Sequence, residues 1–290
     1  MAASPGTTAV GFVGLGNIGK PMVQALLNAG WDVAVLDRVP DRAHELSDAG
    51  ASVAKSPADL ADCEILVLAV PDDAAVESVL EGPDGWLEQS EEGRTVIVHS
   101  TVLPETAARL WQVCADRGVG LLDAPVSGGA DRAEKGDLTI MIGGDPKVVE
   151  RVRPLLDSEG SQVLVVGAAG AGAATKLANQ LMMLSALAGA HEALDLAAAH
   201  GVAAEKVFEV VASSTGDSWV SRNWGFFDRT SAAYDAAGTP PSERPWSKDL
   251  FEVVAAARAA DLRVPVAGLL AQTLADRVEA HAAAARDGRR

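Results

Sequence analysis

Residues 9–37 read Ala9-Val-Gly-Phe-Val13, Gly14-Leu15-Gly16-Asn17-Ile18-Gly19, Lys20-Pro-Met-Val-Gln-Ala-Leu-Leu-Asn-Ala-Gly30, Trp31 and Asp32-Val-Ala-Val-Leu36-Asp37. A short apolar run, a turn with three spaced glycines, an amphipathic segment and a second apolar run that stops on an acid spell strand, turn, helix, strand. In that context the first glycine permits a tight turn, the second lets backbone approach a diphosphate, and the third packs helix on strand. The amides at the start of the helix then face the anion. A plain structural bend is the alternative for a glycine turn taken alone; five features in the right order favour a dinucleotide site.

Asp37 stands 18 residues past Gly19, where a carboxylate accepts hydrogen bonds from an adenosine ribose. The same charge repels a 2′-phosphate, so NAD is expected ahead of NADP. Arg38 follows directly and can pair with such a phosphate, which keeps NADP open.

Outward from this stretch the alternation continues. Glu64–Val70 is an unalternating apolar run, as a strand covered on both faces should be, and it ends in Pro71-Asp-Asp. Thr95–His99 repeats the pattern and ends in Ser100-Thr101, with a helix announced by Pro104. There Thr101 reads equally as a helix cap or a cofactor contact, and His99 as a packed histidine at a strand end. Gly120–Ala124 leads into Pro125-Val-Ser127-Gly128-Gly129, where a hydroxyl and backbone amides can cradle a carboxylate, a Gly-Gly turn being the plain alternative. Leu138–Ile142 and Gln162–Val166 are expected to be the last strands, around a helix near Pro146–Leu156.

From Gly167-Ala-Ala-Gly-Ala-Gly-Ala-Ala-Thr-Lys176-Leu-Ala-Asn179-Gln180 onward almost every segment reads as helix. The expected architecture is an α/β Rossmann-type domain with a mostly parallel sheet over 1–170, then an all-α domain over 171–290. A helix over 171–200, about 45 Å long, joins them. Spacing of i, i+3 and i+4 puts Lys176, Asn179 and Gln180 on one helix face. One cation and two amides converge there.

Composition narrows the class. The 290 residues carry 24 basic and 40 acidic side chains, a net charge of −16. Such a chain repels nucleic acid and anionic membranes, so neither is an expected partner. Only Cys63 and Cys114 are present, which excludes a disulfide framework, and no metal-ligand spacing occurs. The opening residues show no basic region followed by an apolar core, and a cytoplasmic location is expected. The apolar run Leu181–Ala190 is too short to span a bilayer and is expected to be buried, in a core or a subunit interface. An α domain this apolar implies a homo-oligomer, dimer or tetramer.

Four ordered motifs, Gly14-Leu-Gly-Asn-Ile-Gly-Lys-Pro-Met22, Asp123-Ala-Pro-Val-Ser-Gly-Gly129, Gly170-Ala-Gly-Ala-Ala-Thr-Lys-Leu-Ala-Asn-Gln180 and Lys248-Asp249-Leu250, make the chain resemble the β-hydroxyacid dehydrogenases from about residue 9 to about 280. That group contains 3-hydroxyisobutyrate dehydrogenase and tartronate semialdehyde reductase. The resemblance implies Lys176 as the catalytic lysine, with Ser127, Gly128 and Gly129 on the substrate carboxylate. Asn179 and Gln180 then orient substrate, and Lys248 lies near nicotinamide and substrate with Asp249 orienting it or capping its helix. Val70, Pro71 and Thr101 match cofactor-loop positions beside Gly14–Gly19. Two departures stand out: His99 replaces an acid that often precedes Ser-Thr, and residues 216–247 are rich in aromatics, either a wall for a bulky substrate or core.

Oxidising an alcohol to a carbonyl removes a hydride and a proton, and the proton needs a positioned base. Lys176 fills that role if burial and the cationic oxidised ring disfavour its ammonium form. The expected activity is hydride transfer between NAD, or NADP, and a small 3-hydroxy acid. An imine reductase of related fold and a non-catalytic cofactor-binding module are the alternatives; Lys176 counts against the first, and Lys176, Asn179 and Lys248 together count against the second.

Overall fold

The computed structural model describes residues 2–288, and the chain divides into two compact units after Lys176. In the first, β1 (Ala9–Val13), β2 (Asp32–Leu36), β3 (Ser52–Val53), β4 (Ile65–Leu68), β5 (Thr95–Val98), β6 (Gly120–Asp123), β7 (Val126–Ser127), β8 (Thr139–Gly143) and β9 (Gln162–Gly167) form one sheet. Its order is β3-β2-β1-β4-β5-β6-β8-β7, with β9 on β8. Pairing is parallel from β3 through β6. It turns antiparallel where β8 meets β6 and β7, and is parallel again between β8 and β9. Strand order reverses at β1, between β2 and β4, and ligands of open α/β sheets bind beyond the carboxyl ends of strands at such a point.

Helices α1 (Gly19–Asn28), α2 (Pro40–Ser47), α3 (Asp73–Glu81), α4 (Trp86–Gln89), α5 (Pro104–Ala115), α6 (Ala130–Ala133) and α7 (Pro146–Glu159) complete this layer structure. Strands β1, β4 and β5 are buried on both faces, so their residues alternate between two cores. Val10, Phe12, Ile65, Val67 and Ile97 pack with α1 and α7 residues such as Met22, Leu26, Val152 and Leu156. Val13, Leu66, Leu68, Val96 and Val98 pack with Val76, Leu80, Trp86, Ala107 and Leu110 from α3, α4 and α5. Double burial is why these strands read as unbroken apolar runs.

Helix α8 (Ala171–Ala199) is continuous, and α9 (Ala204–Val211), α10 (Trp219–Arg222), α11 (Phe226–Ala236), α12 (Pro245–Ala259) and α13 (Pro265–Arg286) follow. In the second unit Leu184, Leu187, Phe227, Trp246, Leu250, Leu274 and Val278 make one core. Arg244, 3% exposed, is neutralised there by Glu279 and Asp235. Trp246 stacks edge-on with Phe227 and Tyr234 and donates its indole N–H to Glu279 at 2.9 Å. The aromatic segment is thus largely self-packed within the helical unit. On length and composition α8 is apolar enough to cross a membrane, yet Leu184 and Leu187 belong to this core. The expected burial of 181–190 holds on one face only, because Met182 is 75% exposed.

Candidate functional site

The turn between β1 and α1 shows each glycine in a separate role. Gly14 has φ +97°, and a Cβ there would lie 2.4 Å from the Ala69 carbonyl oxygen. At Gly19 a Cβ would meet the Gly14 carbonyl oxygen at 1.9 Å, so helix and turn touch through backbone alone. At Gly16 it would meet nothing within 4 Å. That open backbone is where a diphosphate can approach. Helix α1 has no side-chain cap and no acid in its first turn, which leaves the dipole at its start open to an anion. These residues fit a dinucleotide.

Asp37 joins the end of β2 to this turn. One carboxylate oxygen accepts the Leu15 amide at 2.7 Å and the other accepts the Val39 amide at 2.8 Å. Arg42, which the sequence reading did not single out, lies 3.7 Å from Asp37. The acid therefore shapes the glycine turn, and two cations, Arg38 and Arg42, stand by it in sequence or space.

Beyond β4, the Val70 amide donates to the Ser100 hydroxyl at 2.9 Å, tying the loop that carries Val70 and Pro71 to the end of β5. Helix α5 starts from Leu103, which makes no side-chain cap. Thr101 is therefore not the helix cap, and the cofactor-contact expectation is what remains for it. His99 is 5% exposed. Its Nδ1 lies 2.6 Å from the Ala124 carbonyl oxygen and its Nε2 3.1 Å from Glu159 Oε2. Burial draws the imidazole pKa down, but the Glu159 charge, the hydrogen bond to it and the Ala124 carbonyl outweigh burial and leave it raised.

The motif that begins at Asp123 is anchored at both ends. Asp123 is fully buried and accepts the amides of Gly170 at 2.9 Å and Ala173 at 2.9 Å, which cap the start of α8. Burial raises this carboxyl and the amides partly oppose the rise. A Cβ on Gly172 would lie 2.4 Å from the Asp123 carbonyl oxygen, so the small residues of the 167–173 turn let α8 start directly on β6. Lys176, 8% exposed, then donates from Nζ to the Val126 carbonyl oxygen at 2.9 Å. Ser127, Gly128 and Gly129 follow at once, both glycines with positive φ. The structure brings the catalytic candidate and the carboxylate-clamp candidates together within the first unit.

The second unit holds a chain of polar contacts. Asn179 donates to Gln180 Oε1 at 3.2 Å, and Gln180 donates to Asp249 Oδ2 at 2.5 Å. Lys248 is 3.3 Å from Asp249 Oδ1 and donates to Glu252 Oε1 at 2.6 Å. Burial lowers the Lys248 pKa, while Asp249 and Glu252 more than compensate and raise it. Lys248 is a held cation at neutral pH. Glu252 was not read from the sequence, although its i, i+4 spacing from Lys248 was the available signal. Glu159 carried no local signal at all, being 60 residues from His99.

Among the described residues no three His, Cys, Asp or Glu side chains cluster to hold a metal. Burial pushes the thiols of Cys63 and Cys114 up to about 11 and about 12, which leaves them unreactive at neutral pH.

Residues 9–167 match the family described as the NAD binding domain of 6-phosphogluconate dehydrogenase. Residues 170–289 match that described as NAD-binding of NADP-dependent 3-hydroxyisobutyrate dehydrogenase. The chain is 33% identical over 265 residues to the NAD-dependent L-serine dehydrogenase of Pseudomonas aeruginosa, covering 90% of this chain and 89% of that one. The structure of Mycobacterium tuberculosis 3-hydroxyisobutyrate dehydrogenase with L-serine matches at a TM-score of 0.79 and 28% identity, over 95% of each chain. An imine reductase from a Pseudomonas species shares the fold alone, with a TM-score of 0.64 at 21% identity over 90% of each chain.

Proposed function

Because the chain belongs to the β-hydroxyacid dehydrogenase family, we propose that it interconverts a small 3-hydroxy acid, of the 3-hydroxyisobutyrate or serine kind, with its 3-oxo acid, using Lys176 as general acid/base. The observation that carries the reading is the Lys176 Nζ donation to the Val126 carbonyl, immediately before Ser127-Gly128-Gly129. When bound, a nicotinamide dinucleotide supplies the hydride acceptor or donor for this chemistry. Gly14, Leu15, Gly16, Asn17, Ile18 and Gly19 would hold its diphosphate, Asp37 and Arg38 would meet its adenosine ribose, and Val70, Pro71 and Thr101 would contact it from the strand ends.

In the oxidative direction Lys176, as the amine, takes the hydroxyl proton at Nζ. In reduction the ammonium returns that proton to the carbonyl oxygen. The Val126 carbonyl holds Nζ in one orientation in both states. The Ser127 hydroxyl and the amides of the Gly128-Gly129 turn donate hydrogen bonds to the substrate carboxylate. Asn179 orients the substrate hydroxyl, with Gln180 bracing it against Asp249. Lys248 acts as a fixed positive charge rather than a second base, since its paired carboxylates favour the ammonium. Asp37 disfavours a 2′-phosphate, which makes NAD the preferred dinucleotide, and Arg38 with Arg42 gives NADP residual use.

The test is cofactor-linked absorbance with purified protein over a panel of 3-hydroxy acids that includes 3-hydroxyisobutyrate, glycerate, L-serine and phenylserine, each with NAD and NADP. Turnover of a small acid with NAD, lost in Lys176→Ala, is expected. Activity on cyclic imines with none on hydroxy acids would overturn the reading in favour of imine reduction.

A further inference from the structure

We propose that the buried pair His99–Glu159 is a positioning device that sets the carboxylate clamp and Lys176 in register by gripping the Ala124 carbonyl. The proposal rests on the acid/base reading of Lys176 and concerns residues to which that reading assigns no part.

The Ala124 carbonyl oxygen accepts and never donates, so the proton between it and His99 Nδ1, 2.6 Å away, belongs to the imidazole. That assignment leaves one proton shared between Nε2 and Glu159 Oε2, 3.1 Å apart. Glu159 is fully buried at the end of α7 and His99 stands at the end of β5. The pair thus locks one tautomer and one ring orientation. Its output is a single donor aimed at Ala124.

Ala124 is completely buried, and its amide is spent on the Val98 carbonyl. Without the imidazole its carbonyl would be an unsatisfied buried acceptor, and the chain would shift to find a donor. The next residue is Pro125, which has no amide to hold it. Segment 123–126 is therefore gripped at Asp123 by the amides of α8, at Ala124 by His99, at the Pro125 carbonyl by the Met141 amide, and at the Val126 carbonyl by Lys176. Of these side-chain grips His99 is the one that comes from the β5 end, beside the Val98 carbonyl that takes the Ala124 amide. Its neighbour Ser100 holds Val70 on the other side, so this strand end links the cofactor loop to the clamp. A misplacement of the clamp by a fraction of an ångström separates Lys176 from the substrate hydroxyl it must reach.

The experiment compares full-length wild type with His99→Phe, His99→Asn and Glu159→Gln by hydrogen exchange with mass-spectrometric readout, and by steady-state kinetics on the best acid of the panel. His99→Phe removes the donor to Ala124; His99→Asn keeps a donor at the Nδ1 position; Glu159→Gln keeps a hydrogen bond to Nε2. Faster exchange confined to 124–130 and the first turns of α8 is expected in His99→Phe, with turn 14–19 unchanged. The KM for the acid is expected to rise about tenfold or more while dinucleotide affinity, read by fluorescence titration, stays put. His99→Asn and Glu159→Gln should stay near wild type at 124–130. Unchanged exchange at 124–130 in His99→Phe, or an even rise across the whole first unit, would overturn the proposal. If His99→Phe does not fold, loosening of 124–130 in His99→Asn, whose donor remains, overturns it equally. Should wild type turn over no acid, the reading of Lys176 fails, and the exchange data still decide whether the pair grips the clamp.

Discussion

Lys176 Nζ and the Val126 carbonyl oxygen are 2.9 Å apart, which fixes the amine one residue before the Ser127-Gly128-Gly129 turn. Lys176→Ala should lower kcat/KM by about 10²–10⁴ with the circular dichroism spectrum and dinucleotide affinity unchanged. Lys176→Arg, which cannot lose its proton near neutral pH, should fail to rescue. Wild-type turnover in either variant would remove Lys176 from the chemistry.

The glycine turn makes opposite predictions for two neighbouring glycines. Gly16→Ala places its methyl in open space, so the variant should melt like wild type and bind dinucleotide more weakly, about tenfold by titration. Gly19→Ala drives a methyl against the Gly14 carbonyl and should cost about 1–3 kcal/mol of stability. Thermal melts and binding curves on the two variants would separate these effects.

Lys248 sits against Asp249 and Glu252, so Lys248→Met takes the adjacent cation away from two largely buried carboxylates. The expected loss is about 3 kcal/mol, read by urea unfolding, along with lower kcat/KM. Because the folded-state pKa of Lys248 is raised above 10.5, its contribution is complete below that value and is lost as pH climbs through the folded pKa. Melting temperatures of wild type and Lys248→Met should converge only at strongly alkaline pH.

His191 gives an acid-side prediction. Burial, joined by the charges of His281 and Arg277, holds its pKa down to about 4 against an ordinary 6.5. Between those values the unfolded chain binds the proton and the folded chain does not, so stability present above pH 6.5 falls as pH drops toward 4. His191→Phe keeps a ring against Trp224, 5.0 Å away between centroids. Its melting temperature should fall less than that of wild type between pH 7 and pH 4.5.

Exposed Met182 and Leu196 on α8, with Val266 and Leu269 on α13, are the apolar surface expected to bury itself against a second copy. Light scattering behind size exclusion should report a dimer or tetramer, and Met182→Lys with Leu196→Lys should shift the mass toward the monomer. An unchanged mass would move the interface elsewhere.

Much of this molecule was legible in one dimension because its decisive signals are local. Strands buried on both faces cannot alternate, so β1, β4, β5 and β6 announce themselves as apolar runs. The glycine turn and the Lys176-x-x-Asn179-Gln180 face follow from spacing alone, since backbone clearance and helix periodicity involve residues a few positions apart. Two-residue strands β3 and β7 carry too little pattern to be seen, and the antiparallel placement of β8 against β6 and β7 depends on how the sheet closes. Thr101 reads as a cap or a contact in sequence, and only the fold puts the N-cap of α5 at Leu103. Glu159 beside His99, Arg42 beside Asp37, Gln180 on Asp249 and Asp123 capping α8 join residues far apart in the chain or on different turns. Such pairs satisfy buried polar groups that exist only once the sheet and helices have packed. Local spacing carries the motifs, and burial chooses their partners.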